Sequence, residues 1–468
     1  MQKQDDGQDS FRDRLYTIDE SGKRLWVFAR KPKGILTNAR NITGILLLVF
    51  FFSAPFIKVN GQQLLLFDFL HRTFVIFGVQ FWPQDFNLFF IGMIAMMVFI
   101  ILFTVTYGRI WCGWACPQTV FMEVIFRRIE YWIDGDSNRQ KELDARAWDA
   151  DKVFRRALKH GIFYLISFII SNYFLMYIMG SGAWMKLVTE NPADHVAGLA
   201  GMAVFSFIFY FIFSWFREQV CTIVCPYGRL QGVLLDRETI VISYDYPRGE
   251  ERGLLRKSEN RSETSKGDCI DCNQCVAVCP TGIDIRNGTQ LECINCACCI
   301  DACDDMMRKV GFQPHLIRYA SEKMIADKKP WHYTIRSAAY TIVLATLLAA
   351  LTFFLISRNP VEATVLRSPG MLFQEQEGGK ISNLYSVKVV NKTAHDLPLE
   401  IRLLSCPGEI KVIGNAPVIA SQSLGEVVFF ILLDRNKITD SKTEVDIGIF
   451  SGGKKLDQTR ATFVGPAK

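Results

Sequence analysis

Five long apolar runs divide the chain: roughly Ile42–Val59, Asn87–Tyr107, Gly161–Gly180, Val196–Phe216 and Ser337–Ser357. Each is long enough to cross a bilayer of about 30 Å as a helix. The first is the shortest and contains Pro55, so its ends are the least defined. The stretch Leu64–Trp82 is also apolar, but Asp68, His71 and Arg72 interrupt it, and it reads as an interfacial element rather than a sixth span. After Pro360 the pattern changes to short runs, Leu384–Val390, Leu397–Leu404, Glu426–Leu433 and Glu444–Phe450, separated by Asn391-Lys392, Pro407-Gly408, Asp434-Arg435-Asn436 and Gly452-Gly453. Strands at this spacing predict an immunoglobulin-like β-sandwich. Cys406 is the tail's lone cysteine, so an intersheet disulfide is not expected there.

Charge orients these elements. Residues 1–40 carry nine Lys or Arg, residues 108–160 ten and residues 217–336 seventeen, whereas the loops 60–86 and 181–195 carry only Arg72 and Lys186. Every loop therefore agrees on an N-terminus and a 217–336 region in the cytoplasm, with residues 358–468 outside, in the periplasm of a Gram-negative cell. The apolar run after residue 40 is too long, and lacks a small-residue cleavage site, to be a removable signal. Half of the 468 residues are apolar, which suits a membrane protein. The net charge of +6 is modest, and no basic patch argues for nucleic acid. The expected organisation is a 1–41 segment, a 42–216 membrane domain with four spans, a 217–336 cytoplasmic module, a fifth span at 337–357 and a 358–468 outer domain.

The chemistry is concentrated between Gly267 and Asp305, which hold nine of the fourteen cysteines. Cys269, Cys272, Cys275 and Cys279, followed by Pro280, spell C-x2-C-x2-C-x3-C-P; Cys293, Cys296, Cys299 and Cys303 repeat the spacing, with Asp304 in place of the proline. Two residues between cysteines let one loop offer three thiolates to an iron–sulfur cube, while the fourth cysteine, as in two-cluster bacterial ferredoxins, ligates the partner cluster. The expected sets are therefore Cys269, Cys272, Cys275 and Cys303 for one 4Fe–4S cluster, and Cys293, Cys296, Cys299 and Cys279 for the other. A lone C-x2-C could be a zinc site or a redox dithiol, but two complete runs in tandem weigh against both. A disulfide framework fails because the module faces the reducing compartment. Cys298 reads as a small buried residue beside the loop.

Two further pairs sit where spans end. Cys112 and Cys116 precede Pro117, and Cys221 and Cys225 precede Pro226, both as C-x3-C-P. Each proline suits the first turn of a new helix, of which Phe121–Trp132 has the apolar and basic character. Cys116 and Cys225 would then cap helix N-termini, where the dipole lowers a thiol's pKa. Four thiolates on one face suit Cu(I), zinc or a reversible disulfide. Buried packing is the plainer role for a cysteine, but the same spacing at equivalent ends of two spans favours redox thiols or metal ligands. Met93, Met96 and Met97 could touch Cu(I) but more simply pack, and His71, His160 and His195 form no ligand spacing. The charged stretch Arg139–Lys159 reads as one solvated or membrane-surface helix. Neither a covalent haem motif nor a nucleotide-binding glycine pattern occurs.

The phrases IFGVQFWPQDF (76–86), GRIWCGWACPQTVFMEVIFRRIEYWIDGD (108–136), REQVCTIVCPYGRLQGVLLDRETIVISYDYPRGE (217–250) and KGDCIDCNQCVAVCPTGIDIRNGTQLECINCACCIDACDDMM (266–307) closely resemble the FixG/CcoG family of bacterial inner-membrane proteins. The outer tail is similar to that family's C-terminal immunoglobulin-like domain. The resemblance implies a role in assembling a cbb(3)-type cytochrome c oxidase by reducing Cu(II) to Cu(I), with that oxidase or its copper-delivery factors as partners. It implies that Cys112, Cys116, Cys221 and Cys225 are the copper-associated cysteines and that the eight ferredoxin cysteines hold two 4Fe–4S clusters. The C-x3-C-P pairs are also similar to membrane iron–sulfur subunits of nitrate and nitrous oxide reductase systems, so quinol-linked electron transfer is a rival reading. A non-enzymatic assembly scaffold is another. The electron donor and the oligomeric state, including any homo-oligomer, are left open by the sequence.

Overall fold

Apolar runs become helices here, but charges and caps decide where each helix ends. The computed structural model describes residues 17–18, 21, 23–69, 73–82, 85–256, 261, 265–368, 372–376, 379–393, 395–414, 417–438 and 440–466; His71 and Arg72 lie outside them. Among the described residues five helices are long and apolar enough to span a membrane: Ile35–Ser53, Phe86–Tyr107, Ala150–Met179, Val196–Phe216 and Ile335–Ile356. The chain divides into two compact units, one combining Met1–Ile57, Gln63–Arg72 and Gln84–Leu351, the other Lys58–Gln62, Thr73–Pro83 and Thr352–Lys468.

The first helix begins seven residues earlier than its hydropathy suggests. Its opening N–H groups are capped by a distant carboxylate: Leu36 N and Thr37 N donate to Asp301 at 3.2 and 2.7 Å, and the Thr37 hydroxyl donates to it at 2.7 Å. A satisfied N-terminus lets the helix start among polar residues, and it stops at Ser53, before Pro55. The third helix is longer than the expected Gly161–Gly180, at 30 residues, or about 45 Å. Asp149 caps it by accepting from Lys152 N at 2.9 Å, and Gly180, at φ +86°, ends it. The charged stretch 139–159 is consequently two helices, Ser137–Ala145 and the start of Ala150–Met179, with a break between them.

Charge burial joins the ends of these helices within the first unit. Arg217 grips Glu130 with two bonds of 2.7 Å, and Lys159 reaches Asp134 at 2.6 Å and Glu130 at 3.8 Å. Arg24 meets Glu218 at 3.0 Å, while Glu123 is shared by Arg127 at 3.3 Å and Arg40 at 3.6 Å. Burial works against the charge on Glu130, yet Arg217 first and Lys159 next hold its carboxyl below the ordinary range. The ferredoxin-like part pairs Val241–Tyr244 antiparallel with Ile317–Ala320 and packs that ribbon over the helices Gln274–Ala277 and Cys298–Lys309.

In the second unit the tail is sheet-rich. One sheet runs Glu409–Val412, Leu424–Asp434, Lys380–Asn391, Val361–Arg367, with Gln374–Gln376 also on Lys380–Asn391; the other runs Glu400–Leu403, Lys442–Ser451, Lys454–Val464. Alternating residues fill the space between them, including Tyr385, Phe429, Ile447 and Phe463. The Tyr385 hydroxyl finds Thr462 O at 2.9 Å. The strands Val361–Arg367, Glu409–Val412 and Lys454–Val464 are additions to the four runs read from the sequence. Among the described residues of Leu64–Trp82 there is no helix; Thr73–Ile76 and Val79–Phe81 make a hairpin, with Phe77 and Gly78 at φ +51° and +76° in the turn.

Replacing Arg217 by Gln would strand a buried carboxylate, an effect on the order of 3–5 kcal/mol. The expected outcome is a clearly lower thermal midpoint for the purified protein in detergent. An unchanged midpoint would show that the buried ion pairs do not hold the helix ends together.

Candidate iron–sulfur and thiol site

The two cysteine loops fold alike because the same positions leave the ordinary backbone regions. Asp271 and Asn273 adopt φ +53° and +55°, and their counterparts Asn295 and Ala297 adopt +54° and +65°. Left-handed residues at these points curl each loop so that three thiols turn to one side. The fourth cysteine of each run reaches across. Cys303 has Cys275, Cys269 and Cys272 as its electrostatic neighbours. Cys279 lines an apolar cavity with Cys293, Cys296 and Cys299, which Cys275, Ile242 and Ile283 also border.

Burial pushes the thiols of Cys275 and Cys293 up to about 12 and raises Cys279, Cys299 and Cys303 as well. Such thiols ionise when a metal replaces the lost hydration. Cys296 goes the other way. The Cys298 thiol beside it is the main cause, and the Arg40 guanidinium adds to it against the effect of burial. Converging buried thiols in apolar surroundings, with opposed loops of equal shape, fit 4Fe–4S clusters.

The C-x3-C-P pairs are also built alike. Cys116 and Cys225 are both extended, at φ −62°, ψ 126° and φ −67°, ψ 111°, and each precedes a proline that opens a helix. π-helical turns flank them, at Phe121–Phe126 after the first pair and at Ile212–Phe216 and Val220–Val224 before the second; such turns gather at functional sites. All four sulfurs interact: Cys221 senses Cys116, Cys112 and Cys225, and Cys112 senses Cys116 and Cys225. Arg109 is buried at their centre, donating Nε to Gln231 Oε1 at 3.0 Å and a second N–H to Leu291 O. Gln231 in turn accepts the Cys112 thiol at 3.3 Å.

One expectation is corrected here. The backbone N–H groups of Thr119 and Gln118 do pull the Cys116 thiol down, as a helix start should, but burial outweighs them and its pKa is raised. Burial likewise raises Cys112 and takes Cys221 to about 12. Among the described residues no three of His, Cys, Asp and Glu lie close enough together to hold a single metal ion. Met93, Met96 and Met97 lie exposed on the second helix, away from these sulfurs. His160 bonds Tyr210 at 3.0 Å and His195 bonds Glu190 at 2.7 Å; His71 falls outside the described residues.

The two cysteine groups meet at Gly113. A Cβ there would stand 2.4 Å from Ile294 O and 2.9 Å from the Cys296 backbone, so the turn between Cys112 and Cys116 lies directly on the second cysteine loop. Cys112, Ile294, Cys296 and Cys298 share one apolar cluster. Trp114 Nε1 donates to Tyr319 Oη at 3.1 Å and Asn295 O at 3.3 Å, fixing the same contact. Sequence reading passed over Arg109, Gln231, Gly113 and Arg40. Only Arg40, a charge at the edge of an apolar run, carried a signal.

Family models match three parts of the chain: a 4Fe–4S dicluster domain over 216–322, a 4Fe–4S binding domain over 89–139 and the Ig-like fold at the C-terminus of FixG over 351–466. With five apolar helices, these define a membrane-associated iron–sulfur electron-transfer protein. The nitrogen fixation protein FixG of Rhizobium meliloti (strain 1021) is 33% identical over 434 residues, covering 84% of this chain and 82% of that protein. Proteins RdxA and RdxB of Cereibacter sphaeroides are 37% and 34% identical, over 72% and 82% of this chain and 72% and 83% of theirs. The chain belongs to the FixG/CcoG family.

Changing Gly113 to Ala forces backbone apart at the contact, at a cost of about 1–3 kcal/mol. The expected result is lower thermal stability and an altered low-temperature EPR spectrum of the reduced protein. A spectrum and midpoint identical to the parent would show that the loops are not held in contact.

Proposed function

We propose that this protein reduces Cu(II) to Cu(I) at the thiols of Cys112, Cys116, Cys221 and Cys225, supplying copper for assembly of a cbb(3)-type cytochrome c oxidase. Cys269, Cys272, Cys275 and Cys303 would hold one 4Fe–4S cluster, and Cys293, Cys296, Cys299 and Cys279 the other. When bound, these clusters supply single electrons. The cluster region would lie in the cytoplasm and the Ig-like domain in the periplasm, as the loop charges suggest. The observation that carries the reading is the contact at Gly113, which leaves no side chain between the turn from Cys112 to Cys116 and the loop bearing Cys296.

The residues around the thiols suit the task. Soft sulfur donors favour Cu(I) over Cu(II), so binding there raises the copper potential and assists its reduction. Each Cu(II) takes one electron, and any thiol protons displaced on binding leave to solvent. Arg109, buried beside the thiols, offsets part of the negative charge that four thiolates bring. Gln231 orients the Cys112 thiol.

A rival reading is quinol-linked electron transfer, favoured by the 4Fe–4S binding domain matched over 89–139, which includes Cys112 and Cys116. Protein with reduced clusters distinguishes them: reoxidation by Cu(II) supports the proposal, and reoxidation by a quinone alone supports the rival. Cys221→Ser with Cys225→Ser should leave iron content and cluster EPR unchanged while copper binding and cupric reductase activity fall at least tenfold. Full reductase activity in that variant would overturn the copper site. Crossed ligation is checked separately: Cys303→Ala should abolish the cluster of Cys269, Cys272 and Cys275, and loss of the other cluster instead would overturn it.

A further inference from the structure

Arg40 lies within the first membrane helix and is 5% exposed. Nothing in its own helix accounts for it. Its Nη2 lies 3.6 Å from Glu123, itself shared with Arg127 at 3.3 Å, and its buried Nη1 has no hydrogen-bond partner among the described residues. Cys298, Cys296 and Glu123 are the electrostatic neighbours that favour its charge. A buried cation that shares one carboxylate and keeps an unsatisfied N–H is costly unless negative charge arrives there. The Asp301 carboxylate that caps the start of this helix comes from the helix that begins at Cys298, so Arg40 is placed by the cysteine loop's own continuation.

The first cysteine set has cations of its own, and they are engaged. Cys275 faces Arg286, but that guanidinium is taken by Asp271 at 2.5 Å and Asp284 at 2.7 Å. Cys303 has the buried Asp304 beside it, whose carboxyl lies 3.2 Å from the His315 ring and 4.0 Å from the exposed Arg308. Arg261 also lies on this loop, donating to Gly267 O and Cys269 O, so the cations around the first set are engaged by carboxylates and carbonyls.

We propose that Arg40 is a positioning charge that holds the cluster of Cys293, Cys296, Cys299 and Cys279 at a higher reduction potential than its neighbour, making it the exit cluster beside the Cys112 turn. This rests on the ligand sets proposed above. Reduction adds one negative charge to a thiolate-bound cluster, and a fixed cation in a low-dielectric setting favours the reduced form. Transfer between the clusters oxidises one by one electron and reduces the other by one, with no bond made or broken. The electron therefore comes to rest next to Gly113 and Cys112 rather than at the far cluster.

The test is an EPR-monitored redox titration of the full-length protein in detergent, with dithionite as reductant. Cys303→Ala removes the signal of the far cluster and so identifies the one to follow. Arg40→Gln should lower that cluster's midpoint by at least about 59 mV, a tenfold change for a one-electron couple, and leave the other unmoved. Arg40→Lys should recover most of the shift. Two unmoved midpoints, or equal shifts in both, would overturn the inference. Should Arg40→Gln fail to accumulate, Glu123→Gln retains the cation and removes its counter-charge, and the same midpoint should rise; one that stays or falls would overturn it. The ligand assignment fails by a different sign, namely both cluster signals surviving unchanged in Cys296→Ser.

Discussion

The contact at Gly113 is the constraint on which the rest of the first unit depends. A cysteine turn at the end of a membrane helix can lie against a ferredoxin loop only if the turn carries no side chain there and neither loop needs water between them. Both conditions are met: the facing residues are Ile294 and Cys296, and the carbonyl of Asn295 between them accepts from Trp114 and Tyr319. Close approach matters for electron transfer because each layer of intervening atoms is a barrier. It also explains why cysteines from four separated stretches of sequence belong to one neighbourhood.

Bringing that contact about requires polar ends of membrane helices to be buried under protein. Charges in such a place must be paired, since an unpaired one costs several kcal/mol. Glu123, Glu130 and Glu218 are each met by cations from other segments, Arg40, Arg217 and Arg24 among them, so the N-terminal segment, the first and third helices and both cysteine turns are tied by the same set of ion pairs. The pairing is incomplete: among the described residues buried guanidinium atoms of Arg24, Arg40 and Arg217 keep no hydrogen-bond partner. Stability and redox chemistry draw on the same residues.

The second unit follows different rules. Its core is the alternation of Val, Ile, Tyr and Phe across two sheets, with the Tyr385 hydroxyl and the Asn383 side chain bonded to the last strand. Cys406 takes no part in a disulfide, so the sandwich relies on packing alone. Among the described residues its core is a single apolar cluster shared by the two sheets.

Much of this was legible in the sequence because it is local. Twenty apolar residues in a row can only bury themselves as a span, period-two runs between turn residues can only be strands, and C-x2-C spacing is fixed by the size of one loop. The end of each element was less legible: the first helix starts at Ile35 because a carboxylate 265 positions away reaches its N-terminus, as the Leu36–Asp301 bond shows. The expected lowering of the Cys116 pKa came from a local rule and lost to burial, which no local pattern reports. The sequence by itself determined the elements, the repeated cysteine motifs and their kinship. Only the tertiary structure decided which thiols face one another, that Gly113 is a contact and that Arg40 lies beside Cys296, because proximity between distant segments depends on packing and on which buried charges find partners.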